Sequence, residues 1–408
     1  MTEPTKRRDV VITGIGVVSA LGDGRDATWQ GLVTPEAGQD LIDCETFKPF
    51  CYYKPIEVDL STQIPKRGDL RQMELWQRLG VYAAGRALDD AGLKDDAARL
   101  DTLDMIVAAG GGERDLEVDH GAMQLVERRG APDAELNEFL ATNLRPTLFL
   151  TQLPNLLAGN ISIVHGVMGS SRTFMGEELS GADALRIAHS RIAAGQSDIT
   201  LVGGAYNGAR PDVFLLFALT GQIWRGTPGS VWQRKDEGGG FVLGSGGAFL
   251  VLESADHAEA RGATPIARLG HVSTDRTRRR DGQALDSLTR QWQTMRSNTD
   301  GRTLGVVSGA TGGEPATGIE RAFLAKLSDE RGGIPVRAPA SRTGHLMEAE
   351  CLLNVALAAI MLDQGTMSPA DPHSDVETGD QSAIDTALVT CLGNWRGEGL
   401  VLLDKAPR

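Results

Sequence analysis

Short β-branched runs that end in or open on glycine recur along this chain, and they set the first limit on its fold. Asp9–Gly16 (DVVITGIG), Asp104–Gly112 (DMIVAAGGG), Asp198–Ala205 (DITLVGGA) and Gly247–Glu253 (GAFLVLE) read as buried strands. Between them lie stretches with helical spacing. Over 73–93, Leu75, Leu79, Tyr82, Ala83, Arg86 and Ala87 fall near i, i+3, i+4 positions and Gly92 supplies a stop. Strands alternating with helices predict an α/β fold with a covered sheet.

The second half restates the first in shorter form. Leu304–Gly313 is similar to the opening strand and its glycine turn, Thr386–Gly393 to the run ending at Gly203 and Gly204, and Gly399–Lys405 to Gly247–Glu253. Ser171–Ala188 and Ser341–Ala358 each open on Ser-Arg-Thr before a long amphipathic stretch. An internal duplication accounts for these pairs, with the halves meeting near 255–265. The expected units are 1–260 and 261–408.

Composition narrows the function. With 408 residues, 41% hydrophobic and 23% charged, the chain can bury a large core. A net charge of −13 argues against nucleic-acid binding, which needs a basic surface. No run approaches the roughly 18 apolar residues of a membrane span, and the polar start has no secretory pattern, so a cytoplasmic protein without membrane insertion is expected. Cys44, Cys51, Cys351 and Cys391 lack the spacing of a disulfide framework or zinc site and are expected as reduced thiols. The basic run Asp275–Asp281 reads as a solvated loop. Its Arg276, Arg278, Arg279 and Arg280 are the alternative candidates for docking an acidic partner. The turn Gly110–Glu113 lacks the spacing of a phosphate loop and reads as a tight packing turn.

Three separated blocks carry a family likeness: Arg8–Gly22 (RDVVITGIGVVSALG), Gly240–Ala263 and Arg342–Leu362 (RTGHLMEAECLLNVALAAIML). Together they resemble β-ketoacyl-acyl-carrier-protein synthase II, a condensing enzyme of fatty-acid synthesis, over nearly the whole chain. The resemblance implies the thiolase fold, an α/β fold of five layers (αβαβα) built from two duplicated halves and usually dimeric. It also implies decarboxylative condensation by a cysteine nucleophile and two histidines. A cysteine at a helix N-terminus has its thiolate stabilised by unpaired N–H groups and the helix dipole. The histidines donate hydrogen bonds to the thioester oxygen as charge builds there, a contribution on the order of 10² to 10³ in rate per donor.

Matched to that pattern, the nucleophile's position holds Glu178, the first histidine's holds Ala310, and the second histidine is retained as His345. The family's lysine is matched by Ala340, and its Phe-Gly-Phe-Gly-Gly gating loop by Leu392–Gly399, with Leu392, Gly393, Asn394 and Trp395 at the acyl-pocket end. A carboxylate is a poor carrier of an acyl chain, because its acyl product is an anhydride. Read from the residues alone, Glu177 and Glu178 are acids of a helix's first turn. Cys351 falls on an apolar helix pattern and reads as core, and Cys391, beside the altered loop, is the alternative thiol nucleophile.

The leading expectation is a synthase homologue that has lost condensation and acts as a partner subunit. In this it resembles the chain-length factors of polyketide systems. Ile64–Gly80, Ala108–Asp115 and Gly169–Glu178 are similar to the second condensing-enzyme homologue of the alphaproteobacterial cluster for very-long-chain acyl groups of lipid A. The implied partners are an acyl-carrier protein and a cysteine-bearing synthase, or a second copy of this chain. No cofactor is bound permanently on this reading, the phosphopantetheine arriving on the carrier. Three alternatives stay open. A malonyl-carrier decarboxylase would need Glu178 kept protonated, its pKa raised by about 3 units. An acyltransferase would need another nucleophile, and a binding module outside lipid metabolism would need neither.

Overall fold

The computed structural model describes residues 7–128, 133–280, 282–379 and 382–406; residues 1–6 at the polar start and Asp281 of the basic run lie outside the described residues. The first half holds strands β1 (Val10–Ser19), β2 (Gly22–Asp23), β3 (Ile42–Phe47), β4 (Phe50–Tyr53), β5 (Asp104–Ala108), β6 (Ser171–Phe174), β7 (Ile199–Tyr206), β8 (Leu243–Gly244) and β9 (Gly246–Ser254). The rest holds β10 (Ala267–Arg278), β11 (Leu304–Val307), β12 (Val336–Arg337), β13 (Thr386–Leu392) and β14 (Arg396–Lys405). The helices that position the site are α1 (Leu75–Asp90), α2 (Leu156–His165), α3 (Leu179–Ala193), α4 (Pro211–Leu219), α5 (Gln283–Met295), α6 (Ala316–Arg331), α7 (Ala340–Thr343) and α8 (Glu350–Gln364).

One strand path runs β12-β11-β13-β14-β10-β1-β9-β7-β5-β6. Its two arms are built alike. From β1 outward the pairings are antiparallel to β9, antiparallel to β7, then parallel to β5 and β6. From β10 outward they are antiparallel to β14, antiparallel to β13, then parallel to β11 and β12. The arms join only where Val11 and Ile12 pair with Arg268 and Ala267. Arg268 also reaches Asp9 at 3.2 Å and Asp404 at 2.5 Å, tying the start of β1 to the end of β14. This topology corrects one sequence match. Leu304–Val307 is the counterpart of β5, and β10 is the counterpart of the opening strand β1. Glycine after a β-branched run is common to both, so local pattern does not separate them.

Helices cover the arms in layers. α1 packs on β1, β9 and β7, and α5 packs on β10 and β14. Between the arms lie α3 and α8, α3 against β10, β7 and β5 and α8 against β13, β9 and β14. α8 (ECLLNVALAAIMLDQ) is apolar around its whole circumference, with Glu350 through Leu362 all buried, as a helix between two sheets must be. Gly14 and Gly16 let α1 sit directly on β1, since a Cβ on Gly16 would lie 1.9 Å from the Ala83 carbonyl oxygen. α1 presents Ala83, Ala84 and Ala87 there and opens on a Glu74–Gln77 capping box.

Two expectations about side chains are corrected. Cys44 and Cys51 are disulfide-bonded. Strands β3 and β4 form a hairpin whose register pairs Ile42 with Tyr53 and Asp43 with Tyr52, which brings Cys44 across from Cys51. The basic run is solvated as expected at Arg276, Arg278 and Arg280, but its first residues belong to β10 and so are strand, not loop. Arg276 reaches the buried Asp183 at 2.8 Å, and Arg279 turns into the protein. Among the described residues no helix is long and apolar enough to cross a membrane.

Gly16→Ala is expected to lower unfolding free energy by about 1–3 kcal/mol, since α1's backbone has to move. Urea denaturation compared with a surface Gly68→Ala control checks it, Gly68 having open space around its Cα.

Candidate functional site

Glu178 stands at the end of β6's connection into α3, as the residue before the first helical turn, with αR dihedrals of φ −52° and ψ −35°. Its carboxylate does not cap that helix. Instead Oε1 accepts from His345 Nε2 at 3.2 Å and from the backbone N–H of Asn394 at 3.2 Å. Glu177 also precedes the helix and pairs with Arg396 at 3.2 Å. The reading of both as first-turn acids is therefore off by a residue or two, and their side chains serve the site and its rim.

His345 is held from both sides of its backbone. Its N–H donates to the Val242 carbonyl at 2.7 Å and its carbonyl accepts from Gly244 N–H at 2.9 Å, extending the β8 segment. Gly344, at φ +69°, makes the turn that delivers it and has no room for a Cβ against the Leu243 carbonyl. The Phe241 ring meets the imidazole edge-on at 5.2 Å. Nδ1 faces Glu350 Oε2 at 3.6 Å, and that same oxygen accepts from Leu346 N–H at 2.7 Å. His345 thus sits between two carboxylates, and only 1% of its surface is exposed.

This arrangement fixes the charge states. Burial alone would lower the imidazole, but hydrogen bonding and charge from Glu178 and Glu350 outweigh it and raise His345 to about 9. Burial pushes the Glu178 carboxyl up, but His345 and the Asn394 N–H outweigh that and hold it below its ordinary value. Near neutral pH the pair is an imidazolium and a carboxylate. The decarboxylase reading needs a protonated Glu178, the form these partners disfavour. A third carboxyl, Glu348, lies against Gly110, and burial first, then the charge of Glu178, raises it to about 7. Gly110 has its packing role here, as a Cβ would come 2.5 Å from Glu348 Oε1.

The loop after β13 closes the other side. Gly393 N–H donates to the Gly397 carbonyl at 2.9 Å, and Gly397 adopts φ +85° over Leu179. Arg279, from the basic run, clamps this loop from behind. It donates to Gly393 O at 2.6 and 3.0 Å and to Gly397 O at 2.5 Å, and pairs with the buried Glu398 at 3.0 Å. Asn394 is 5% exposed, and both polar atoms of its amide lack a hydrogen-bond partner among the described residues. Trp395 is 43% exposed and stacks on Phe217 at 5.7 Å.

Not every predicted position converges. Glu178, His345, Gly393 and Asn394 meet. Leu392 is buried in the second arm's core with Ala310, which sits in the turn after β11, its N–H donating to Ser308 Oγ at 3.1 Å. Ala340 opens α7 and is buried. A methyl group at 310 offers no hydrogen bond to a substrate. Cys351 is core, as read. Cys391 lies beneath Glu178, its Sγ 3.7 Å from the Glu178 carbonyl. Its contact with Cys351 and its burial push its thiol well above the ordinary value, which disfavours the thiolate a nucleophile needs. Sequence reasoning missed Glu348, Glu350 and Arg279. The first two carried a signal, since HLMEAE sets two acids at the mouth of an otherwise apolar helix.

Chemically, two of the site's donors are already taken. The Nε2–H of His345 and the N–H of Asn394, which are the kind of groups that receive a developing oxyanion, both point at Glu178's own carboxylate.

A family model described as "Beta-ketoacyl synthase, N-terminal domain" matches residues 7–258. The chain belongs to the β-ketoacyl synthase family. It is 26% identical over 392 residues to 3-oxoacyl-[acyl-carrier-protein] synthase 2 of Vibrio harveyi, covering 91% of this chain and 90% of the relative. It is 29% identical over 423 residues to the tetracenomycin polyketide synthase ketoacyl synthase beta subunit of Streptomyces glaucescens, covering 94% and 95%. Among solved structures, the ishigamide ketosynthase/chain length factor superposes with a TM-score of 0.79 at 21% identity, covering 98% of this chain and 100% of that one. A β-ketoacyl synthase from Burkholderia phymatum STM815 gives 0.79 at 20%, with the same coverage. The thiolase fold is therefore shared throughout.

Two outcomes follow from the geometry. Because His345's folded value is raised, the stability it contributes is full below the ordinary value near 6.5 and drains away as pH rises toward about 9. Wild type and His345→Leu, compared by denaturant unfolding, should differ most near pH 6 and converge by pH ~9.5. Arg279→Ala is expected to free the 393–397 loop, so that Cys391, inert to iodoacetamide in the wild type, becomes alkylated in the still-folded variant.

Proposed function

We propose that this β-ketoacyl synthase homologue is a non-condensing partner subunit that shapes acyl-chain synthesis in the company of a cysteine-bearing synthase. The observation that carries the reading is the buried Glu178–His345 ion pair, which fills the nucleophile's seat and occupies two of the donors around it. Condensation needs a group there that can form and release a thioester. The Glu178 carboxyl is held below its ordinary value, Ala310 has no proton to donate and burial pushes the Cys391 thiol up, so none is suited to it. Relatives described as a ketoacyl synthase beta subunit and as a ketosynthase/chain length factor support a paired role.

On this reading the chain works in the cytoplasm, paired with a synthase or with itself. It meets acyl groups through the phosphopantetheine of an acyl-carrier protein, a carrier partnership seen in a neighbouring structure described as a type II polyketide acyl-carrier protein in complex with its ketosynthase. The units 1–260 and 261–408 act as one body around the site. A subunit of this kind keeps its fold because the middle helices and the loop still have to present a surface to the partner.

Intact-mass measurement after incubation with a long-chain acyl-carrier protein tests the reading. The expected result is an unchanged mass and no release of CO2 from malonyl-carrier protein. An added acyl group mapped to a cysteine, or malonate-dependent CO2, would overturn it in favour of an acyltransferase or a decarboxylase.

A further inference from the structure

The Cys44–Cys51 disulfide lies outside the site but is connected to it by two continuous routes. The first is backbone. β4 pairs in parallel with β8, Tyr52 with Leu243 and Tyr53 with Gly244, and Ser245 N–H donates to Tyr53 O at 3.0 Å. β8 is in turn hydrogen-bonded to His345, as described above. The second route is aromatic. Phe47 and Phe50, within the loop the disulfide closes, pack on Phe214 of α4 with ring centroids 4.6 and 5.8 Å apart. One helical turn on, Phe217 meets Phe241 at 4.7 Å and Trp395 at 5.7 Å. Phe241 is the ring that lies edge-on to His345.

The two sulfurs differ in access. Cys51 is 5% exposed, packed with Ala20, Tyr53 and Val242, whereas Cys44 is half-buried on the outer strand of the hairpin. β3 is half-buried to exposed and, among the described residues, forms the edge of its three-stranded sheet. This edge is held on one side, by the ladder to β4, by the disulfide, by Phe47 against Tyr52 and Phe214, and by Ile42 and Cys44 on the small cluster around Val242. Opening a short cross-link there releases local backbone freedom without touching either central helix.

We propose that Cys44–Cys51 is a thiol–disulfide exchange site, acted on by low-molecular-weight or protein dithiols, whose state sets the order of the aromatic wall and the Trp395 loop. In the reductive direction a dithiol's thiolate attacks the accessible Cys44 sulfur. The S–S bond breaks, and Cys51 leaves and takes up a proton. The dithiol's second thiolate then attacks its own sulfur in the mixed disulfide, releasing Cys44 as a thiol. Two electrons and two protons pass to the protein, and the dithiol becomes a disulfide. In the reduced hairpin Phe47 and Phe50 are no longer pinned to Phe214, so α4's aromatic face and Trp395 loosen while the Glu178–His345 pair stays in place.

Hydrogen exchange with mass spectrometry on the full chain, before and after dithiothreitol, tests this. Iodoacetamide mapping should label neither Cys44 nor Cys51 before reduction and both after it. Exchange should rise by about twofold or more in 42–53 and also in 392–397, with α8 unchanged. A Cys44→Ser, Cys51→Ser double variant should match the reduced wild type without reductant. Phe214→Leu should confine the change to the hairpin. Labelling of both cysteines before reduction, or a reduced protein whose 392–397 segment exchanges as before, overturns the proposal. A 392–397 response that persists in Phe214→Leu overturns the aromatic route.

Discussion

A carboxylate and an imidazolium, 3.2 Å apart and nearly sealed from water, are the pair on which the rest of the structure depends. Burying either charge alone would cost several kcal/mol, and leaving one unpaired is commonly worth about 3–5 kcal/mol. The surroundings answer that demand. Glu350 stands behind the imidazole, the Asn394 N–H joins on the carboxylate, and Arg279 fixes the loop that carries Asn394. Each of these groups comes from a different segment, so the ion pair also states where α3, α8 and the post-β13 loop have to sit.

That pair also bears on how one scaffold can host different chemistry. The strands, the middle helices and the turn at Gly344 place position 178 at a helix start and bring a histidine to it. What happens there depends on the side chain at 178. A neutral thiol would leave the donors open to a substrate, whereas a carboxylate takes them for itself. On the proposed reading, the side chains at 178 and 310 set the chemistry of the site, with no change of fold.

Much of this was legible in the sequence, and the rest was hidden for physical reasons. The α/β class, the similar halves and the meeting of Glu178 with His345 follow from β-branched runs, helical spacing and the motif resemblance. The assignment of Leu304–Val307 to the opening strand failed because β1 and β5 share the same local pattern and differ only in their neighbours. The Cys44–Cys51 bond was hidden because cysteines seven apart carry no signal until the hairpin register is known. Arg279 was hidden because a run of arginines looks solvated. Whether one of them turns inward depends on distant carbonyls at Gly393 and Gly397. Long-range pairings of this kind leave no periodic trace.

Arg268 touches Asp9 and Asp404 together, so the start of β1 and the end of β14 lie side by side. The loop over Glu178 lies at the opposite end of β14, which runs from Arg396 to Lys405 and spans about 30 Å at ~3.3 Å per residue. For protein engineering this is a convenient geometry. A reporter, an affinity handle or a tethered carrier attached by way of the start of β1 or the end of β14 would begin at the end of the sheet remote from the loop.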